Sequence, residues 1–167
     1  MHLVGCLSYC QTIRLQVFLN YPNIHNDIVT VMQRVLQSWQ GILPPILYVR
    51  LDNTARENKN STVFGYLIML VEKGIFKKVK VNFLLVGHTH DQIDQMFSRF
   101  SKKLARYDGF TLLALSKLIV DAYTPKPKVQ HLNEMDDFKR FYNDGDRTQR
   151  KVLALNNISF NHVFLIK

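Results

Sequence analysis

Cysteine is nearly missing: only Cys6 and Cys10 stand in 167 residues. Two thiols are too few to staple a small domain, so a disulfide scaffold is excluded and a reducing compartment is expected. Glycine (7) and proline (5) are also scarce, which excludes collagen-like and Pro/Gly-rich low-complexity chains. No uninterrupted apolar stretch reaches the ~18–20 residues a helix needs to cross a bilayer. Residues 1–10 lack a basic segment ahead of their apolar stretch, so they read as a strand and not a signal peptide. The expected location is therefore nuclear or cytoplasmic, neither secreted nor in a membrane. No period of 20–50 residues repeats, which disfavours a solenoid or propeller.

Acid is the other shortage. Thirteen Asp and Glu face 22 Lys and Arg, leaving a net charge of +9. Such a balance favours acidic partners, with DNA or RNA first among them. The remaining composition, 47% hydrophobic and 21% charged, is that of an ordinary globular chain. A chain of this length buries roughly 70% of the surface its unfolded form exposes.

Strand-like and helix-like patterns alternate, which is the signature of an α/β layer fold. Strands are expected at 2–9, 12–19, 46–51, 79–86 and 158–166. A helix over 27–40 places Ile28, Val31, Met32, Val35, Leu36 and Trp39 on one face, and Gly41 ends it. A second, over 61–73, turns Phe64, Leu67, Ile68 and Val71 inward before Gly74. A third, over 91–106, buries Ile93, Met96, Phe97, Phe100 and Leu104. Thr111 opens a fourth with Leu112, Leu115, Leu118 and Ile119 inward. A soft boundary near Tyr123 separates a core, 1–123, from a C-terminal extension, 124–167, that carries the last strand.

Candidate chemistry gathers at the carboxyl ends of two expected strands, the edge where open α/β sheets collect ligands. Asp52 ends one strand. His88, His90, Asp91 and Asp94 follow another, with Asp91 and Asp94 sharing a helix face at i, i+3. A strand-end carboxylate facing a helix carboxylate is an arrangement that holds divalent metal for phosphodiester chemistry. The plainer reading makes Asp91 a helix cap and Asp52-Asn53 turn chemistry. Arg99, Lys102, Lys103 and Arg106 lie off the apolar stripe of the third helix, and Lys73, Lys77, Lys78 and Lys80 cluster before it. They read either as solvated faces or as phosphate contacts.

Other chemistries fare worse. Gly87-His88-Thr89-His90 looks like the last metal motif of calcineurin-type metallophosphoesterases, but the earlier Gly-Asp-x-His and Gly-Asn-His partners are missing. Gln92-Ile93-Asp94 stands where metallo-β-lactamase-like hydrolases require Asp-His. The two cysteines fall in an apolar strand region, where burial raises thiol pKa and leaves the group inert. Neither a G-x-S-x-G elbow nor a phosphate-cradling glycine loop occurs.

Two longer strings are more specific. They are Leu51-Asp52-Asn53-Thr54-Ala55-Arg56-Glu57-Asn58-Lys59-Asn60 and Val86-Gly87-His88-Thr89-His90-Asp91-Gln92-Ile93-Asp94-Gln95-Met96-Phe97-Ser98-Arg99. Together they closely resemble a family of eukaryotic domains of unknown function that look like relics of transposable elements. The likeness covers 1–119. It implies an RNase H-like fold, shared by transposases, integrases and nucleases. By that resemblance Asp52 ends the fourth strand, and Asp91 or Asp94 is the helix acid, Asp94 matching the position that keeps an acid more regularly. Asn53, Asn58, Lys59, His88 and His90 would be polar neighbours at the same edge. Arg56, Lys59, Lys77, Lys78, Arg99, Lys102, Lys103 and Arg106 would face nucleic acid.

The chain departs from that pattern at one point. An RNase H-like nuclease takes a metal-binding Asp from its first strand, whereas residues 1–19 match the second and third strands and contain no acid. The expectation is thus an α/β fold, an RNase H-like mixed sheet with helices on both faces, lacking its first, central strand. The expected function is a transposase-derived nucleic-acid-binding domain with degenerate or incomplete nuclease or strand-transfer chemistry. Were the chemistry retained, Asp52 and Asp94 would bind Mg²⁺ or Mn²⁺ and activate water or a 3′-hydroxyl. The alternatives are a non-catalytic protein-interaction scaffold or a metallophosphoesterase-like hydrolase.

Overall fold

The computed structural model describes residues 2–10, 12–20, 27–54, 58–84, 92–132, 136–138 and 163–167. Along the chain run β1 (His2–Cys10), β2 (Thr12–Asn20), α1 (Asp27–Gln37), β3 (Ile46–Leu51), α2 (Ser61–Glu72), β4 (Lys78–Phe83), α3 (Gln92–Leu104), α4 (Leu112–Ala122), β5 (Lys128–His131) and β6 (Val163–Ile166). The expected α/β class holds. The chain divides into two units, one formed by 1–22 with 88–134 and the other by 23–87 with 135–167.

In the first unit, β1 and β2 form an antiparallel pair in register from His2 opposite Asn20 to Cys10 opposite Thr12. The short β5 joins parallel to β2, with Gln16 beside Lys128. Its described core is Met96, Phe100, Leu115 and Ile119, flanked by Phe97, Leu118, Tyr123 and Val129. Gly5 permits a close approach between β1 and α3. A Cβ there would stand 3.0 Å from Ile93 Cγ2 and 3.0 Å from Phe97 Cε2.

In the second unit, β3 and β4 are parallel neighbours joined through α2, and β6 adds antiparallel to β4. Lys-Val-Lys-Val-Asn-Phe in β4 alternates strictly: Val79, Val81 and Phe83 are buried while Lys78, Lys80 and Asn82 are exposed. The inner face packs with Val29, Phe64, Leu67, Leu70 and Phe76. Phe64 meets Phe164 edge-on at 4.9 Å and Phe83 at 6.2 Å between centroids. Asn60 caps α2, its side chain accepting the Val63 N–H at 3.0 Å. The helix ends in a Schellman motif: Ile75 N–H reaches Leu70 O, Gly74 N–H reaches Val71 O, and Gly74 adopts φ +68°.

Several expectations change in detail. Among the described residues, the helices of the second unit pack on the buried face of β4, whose other face is polar and exposed. The described strands form two three-stranded sheets, β1-β2-β5 and β3-β4-β6. Residues 128–131, expected in the extension, pair with β2. Leu104 and Leu112, expected inward, are exposed, because they end and begin helices where the apolar stripe runs out into the turn. The first helix stops at Gln37, three residues before 40.

Candidate functional site

The segment after β3 is a hydrogen-bonded loop built by its own polar side chains. Asp52 is exposed, and its Oδ1 accepts the Asn53 N–H at 2.7 Å. Asn58 Nδ2 donates to Asp52 O and to Thr54 Oγ1, each at 2.9 Å. Thr54 O in turn accepts the N–H groups of Asn58 and Lys59. Asn58 is therefore a staple across the loop, and Asn60 is the helix cap. Lys59 is only 8% exposed, with its ammonium 4.9 Å from the Phe83 ring centroid. Asn58 Oδ1 is buried without a hydrogen-bond partner, an arrangement costing about 1–3 kcal/mol.

The second acid, Asp94, is exposed on the first turn of α3. Asp52 belongs to the second unit and Asp94 to the first. Asp91, His88, His90 and Arg56 lie outside the described residues. Oxygen donors such as Asp52 suit hard divalent cations. Among the described residues, however, no group of three or more His, Cys, Asp or Glu is assembled that could hold an ion.

The basic positions separate into engaged and presented side chains. Lys103 donates to Asp121 O at 2.6 Å, placing its charge on the last turn of α4, where a helix dipole favours cations. The Arg99 guanidinium lies 5.2 Å from the Tyr123 ring centroid, while the residue itself is exposed. Lys102, Arg106, Lys77 and Lys78 are exposed. Arg99, Lys102 and Arg106 follow i, i+3, i+7 spacing, one stripe of α3 and its C-terminal continuation, away from buried Met96 and Phe100.

Two further groups have chemical interest. Ser116 Oγ lies 2.7 Å from Leu112 O and 3.0 Å from His131 Nε2. The hydroxyl has one proton to give, to the carbonyl or to Nε2, and the His131 tautomer sets which of the two it is. Burial pushes the Cys6 thiol up to about 11, as expected for an inert strand cysteine. Sequence pattern does not reveal this Ser–His pair, because its members sit fifteen positions apart with no motif between them.

The family described as Domain of unknown function (DUF7869) matches residues 1–167. The chain belongs to this family. No curated protein and no solved structure matches the chain. In this chain Asn58 and Asn60 are committed to the loop and the cap of α2.

Proposed function

We propose that this chain is a transposase-derived domain that binds nucleic acid and carries degenerate or incomplete metal-dependent phosphodiester chemistry. The observation that carries the reading is the α3 stripe. Arg99, Lys102 and Arg106 stand exposed in a chain of net charge +9. Their spacing presents charge to a phosphate backbone and reads no base sequence, so it supports affinity without specificity.

Fluorescence anisotropy with labelled duplex DNA tests this reading. Three phosphate contacts imply a fall in affinity on the order of 40-fold between 50 and 200 mM salt. Lys102→Glu with Arg106→Glu removes most of the binding. Affinity indifferent to salt and to both reversals sinks the proposal. In a plasmid nicking assay with Mn²⁺, wild type and Asp52→Ala are expected to behave alike; cleavage lost on that substitution restores the catalytic reading, with Asp52 as a metal ligand.

One observation favours a second reading, the protein-interaction scaffold. Phe110 is 90% exposed and Leu113 is 82% exposed at the turn into α4. Large apolar side chains so placed suit a protein partner. Salt-independent capture of a protein, lost on Phe110→Ser, would support it.

A further inference from the structure

The outer face of the β3-β4-β6 sheet has a composition that the interior does not explain. The β3–β4 register sets Ile46 beside Lys78, Tyr48 beside Lys80 and Arg50 beside Asn82. On the other side, Lys80 stands opposite Leu165 and Asn82 opposite Val163. Tyr48 (68% exposed), Arg50, Lys78, Lys80, Asn82, Val163 and Leu165 all meet solvent. None of the three strands contains an acid. The Lys80 ammonium lies 5.1 Å from the Tyr48 ring centroid, an attraction that holds cation and ring together.

Charge and shape together select the occupant. Arg50, Lys78 and Lys80 repel one another across a face whose strands hold no acid, and a polyanion relieves that repulsion. An apolar helix or protein core laid there would bury three cations without partners, a desolvation that nothing on the face offsets. Successive same-face positions of a strand are about 7 Å apart, so the cations form a grid and not a single pocket. A half-exposed sheet with an aromatic ring among cations suits unstacked bases: the ring offers a π-face while the cations take phosphates. A duplex keeps its bases stacked and cannot use Tyr48 in that way.

We infer that this sheet face binds a single-stranded nucleic acid, with Tyr48 as the stacking platform and Arg50, Lys78 and Lys80 as phosphate contacts. The inference rests on the nucleic-acid reading for the class of ligand alone. It assigns strandedness, and a surface separate from the α3 stripe.

The test is anisotropy of the full chain with labelled oligo(dT) and oligo(U), against duplex DNA of equal length. Tyr48→Ala should weaken single-strand binding about 5- to 150-fold, Tyr48→Phe should restore it, and duplex binding should hardly change. Arg50→Gln with Lys80→Gln should weaken it and flatten its salt dependence. Photo-crosslinking to an iodouracil oligonucleotide should map to Tyr48 or its neighbours. Because Tyr48 is exposed, an unchanged thermal midpoint accompanies these variants. Single-strand binding that survives Tyr48→Ala overturns the inference, as does equal displacement by heparin, which has no bases. A concentration-dependent dimer abolished by the same substitution also overturns it. If these variants act while Lys102→Glu and Arg106→Glu do nothing, the sheet face stands and the α3 reading falls. The converse result leaves the α3 stripe as the binding surface and removes the sheet face.

Discussion

The two units build their helices differently. In the β3-β4-β6 unit, α2 is apolar nearly all round and buries Thr62 through Leu67 in succession, the pattern of an interior helix. Phe64, Phe76 and Phe83 are almost fully buried beside it. In the β1-β2-β5 unit, α3 is one-faced: Met96 and Phe100 point in, while Asp94, Arg99 and Lys102 point to solvent. The same chain thus builds one helix for packing and another for presenting charge. A helix buried on all sides is costly to disturb and has no free face to bind with. A helix buried on one side is cheaper to disturb and keeps a face for a partner.

Truncation is the strongest way to break this contrast. Phe64→Ala should cost about 3–5 kcal/mol and Leu115→Ala about 2–3 kcal/mol, read as midpoint shifts in urea at constant slope. Equal losses would mean that the two cores are of one kind. Gly5→Val should cost about 1–3 kcal/mol, because the new methyls meet Ile93, Phe97 and Met96. A neutral outcome would show that α3 shifts freely on β1.

Alkali separates the units by their titrating groups. The folded Cys6 thiol, at about 11, lies above its ordinary 9.0, so the folded state holds the proton more tightly. Its stabilisation is complete below pH 9 and is lost as pH rises through about 11, on the order of 2 kcal/mol. In the other unit, burial pushes Tyr66 from 10.0 up to about 12, so its loss begins one unit later. Cys6→Ala should flatten stability between pH 9 and 10, and an unchanged profile would remove Cys6 as the cause. The smallest effects are the caps. Asn60→Ala in one unit and Thr111→Ala in the other should each cost about 1 kcal/mol, Asn60 somewhat more since it is half-buried. Reversal of that order would show that exposure does not set cap strength here.

Much of the fold is legible in the chain because its signals are local. The 3.6-residue spacing of Met96 and Phe100, the alternation of Lys-Val-Lys-Val-Asn-Phe and the Gly74 stop each act within one element. The strand at Lys128–His131 escaped because four residues carry no period, and its pairing with β2 comes from more than a hundred positions away. Of the candidate site, the exposed positions of Asp52, Asp94, Lys102 and Arg106 follow from pattern. The commitment of Asn58 to the loop, Lys59 to Phe83 and Lys103 to α4 does not. Each of those partners is chosen by packing, and a lysine in sequence looks the same whether its ammonium meets water or a ring.

By itself the sequence determined the α/β alternation, the helix caps and stops, the excess of positive charge and the family. These depend on residue type and on spacing along the chain. Tertiary structure alone decided how the described strands pair into sheets, which side chains of β3, β4 and β6 are exposed, and which lysines are engaged. Those outcomes depend on which distant segments meet, and burial free energy is settled by the neighbours a side chain acquires, not by those beside it in the chain.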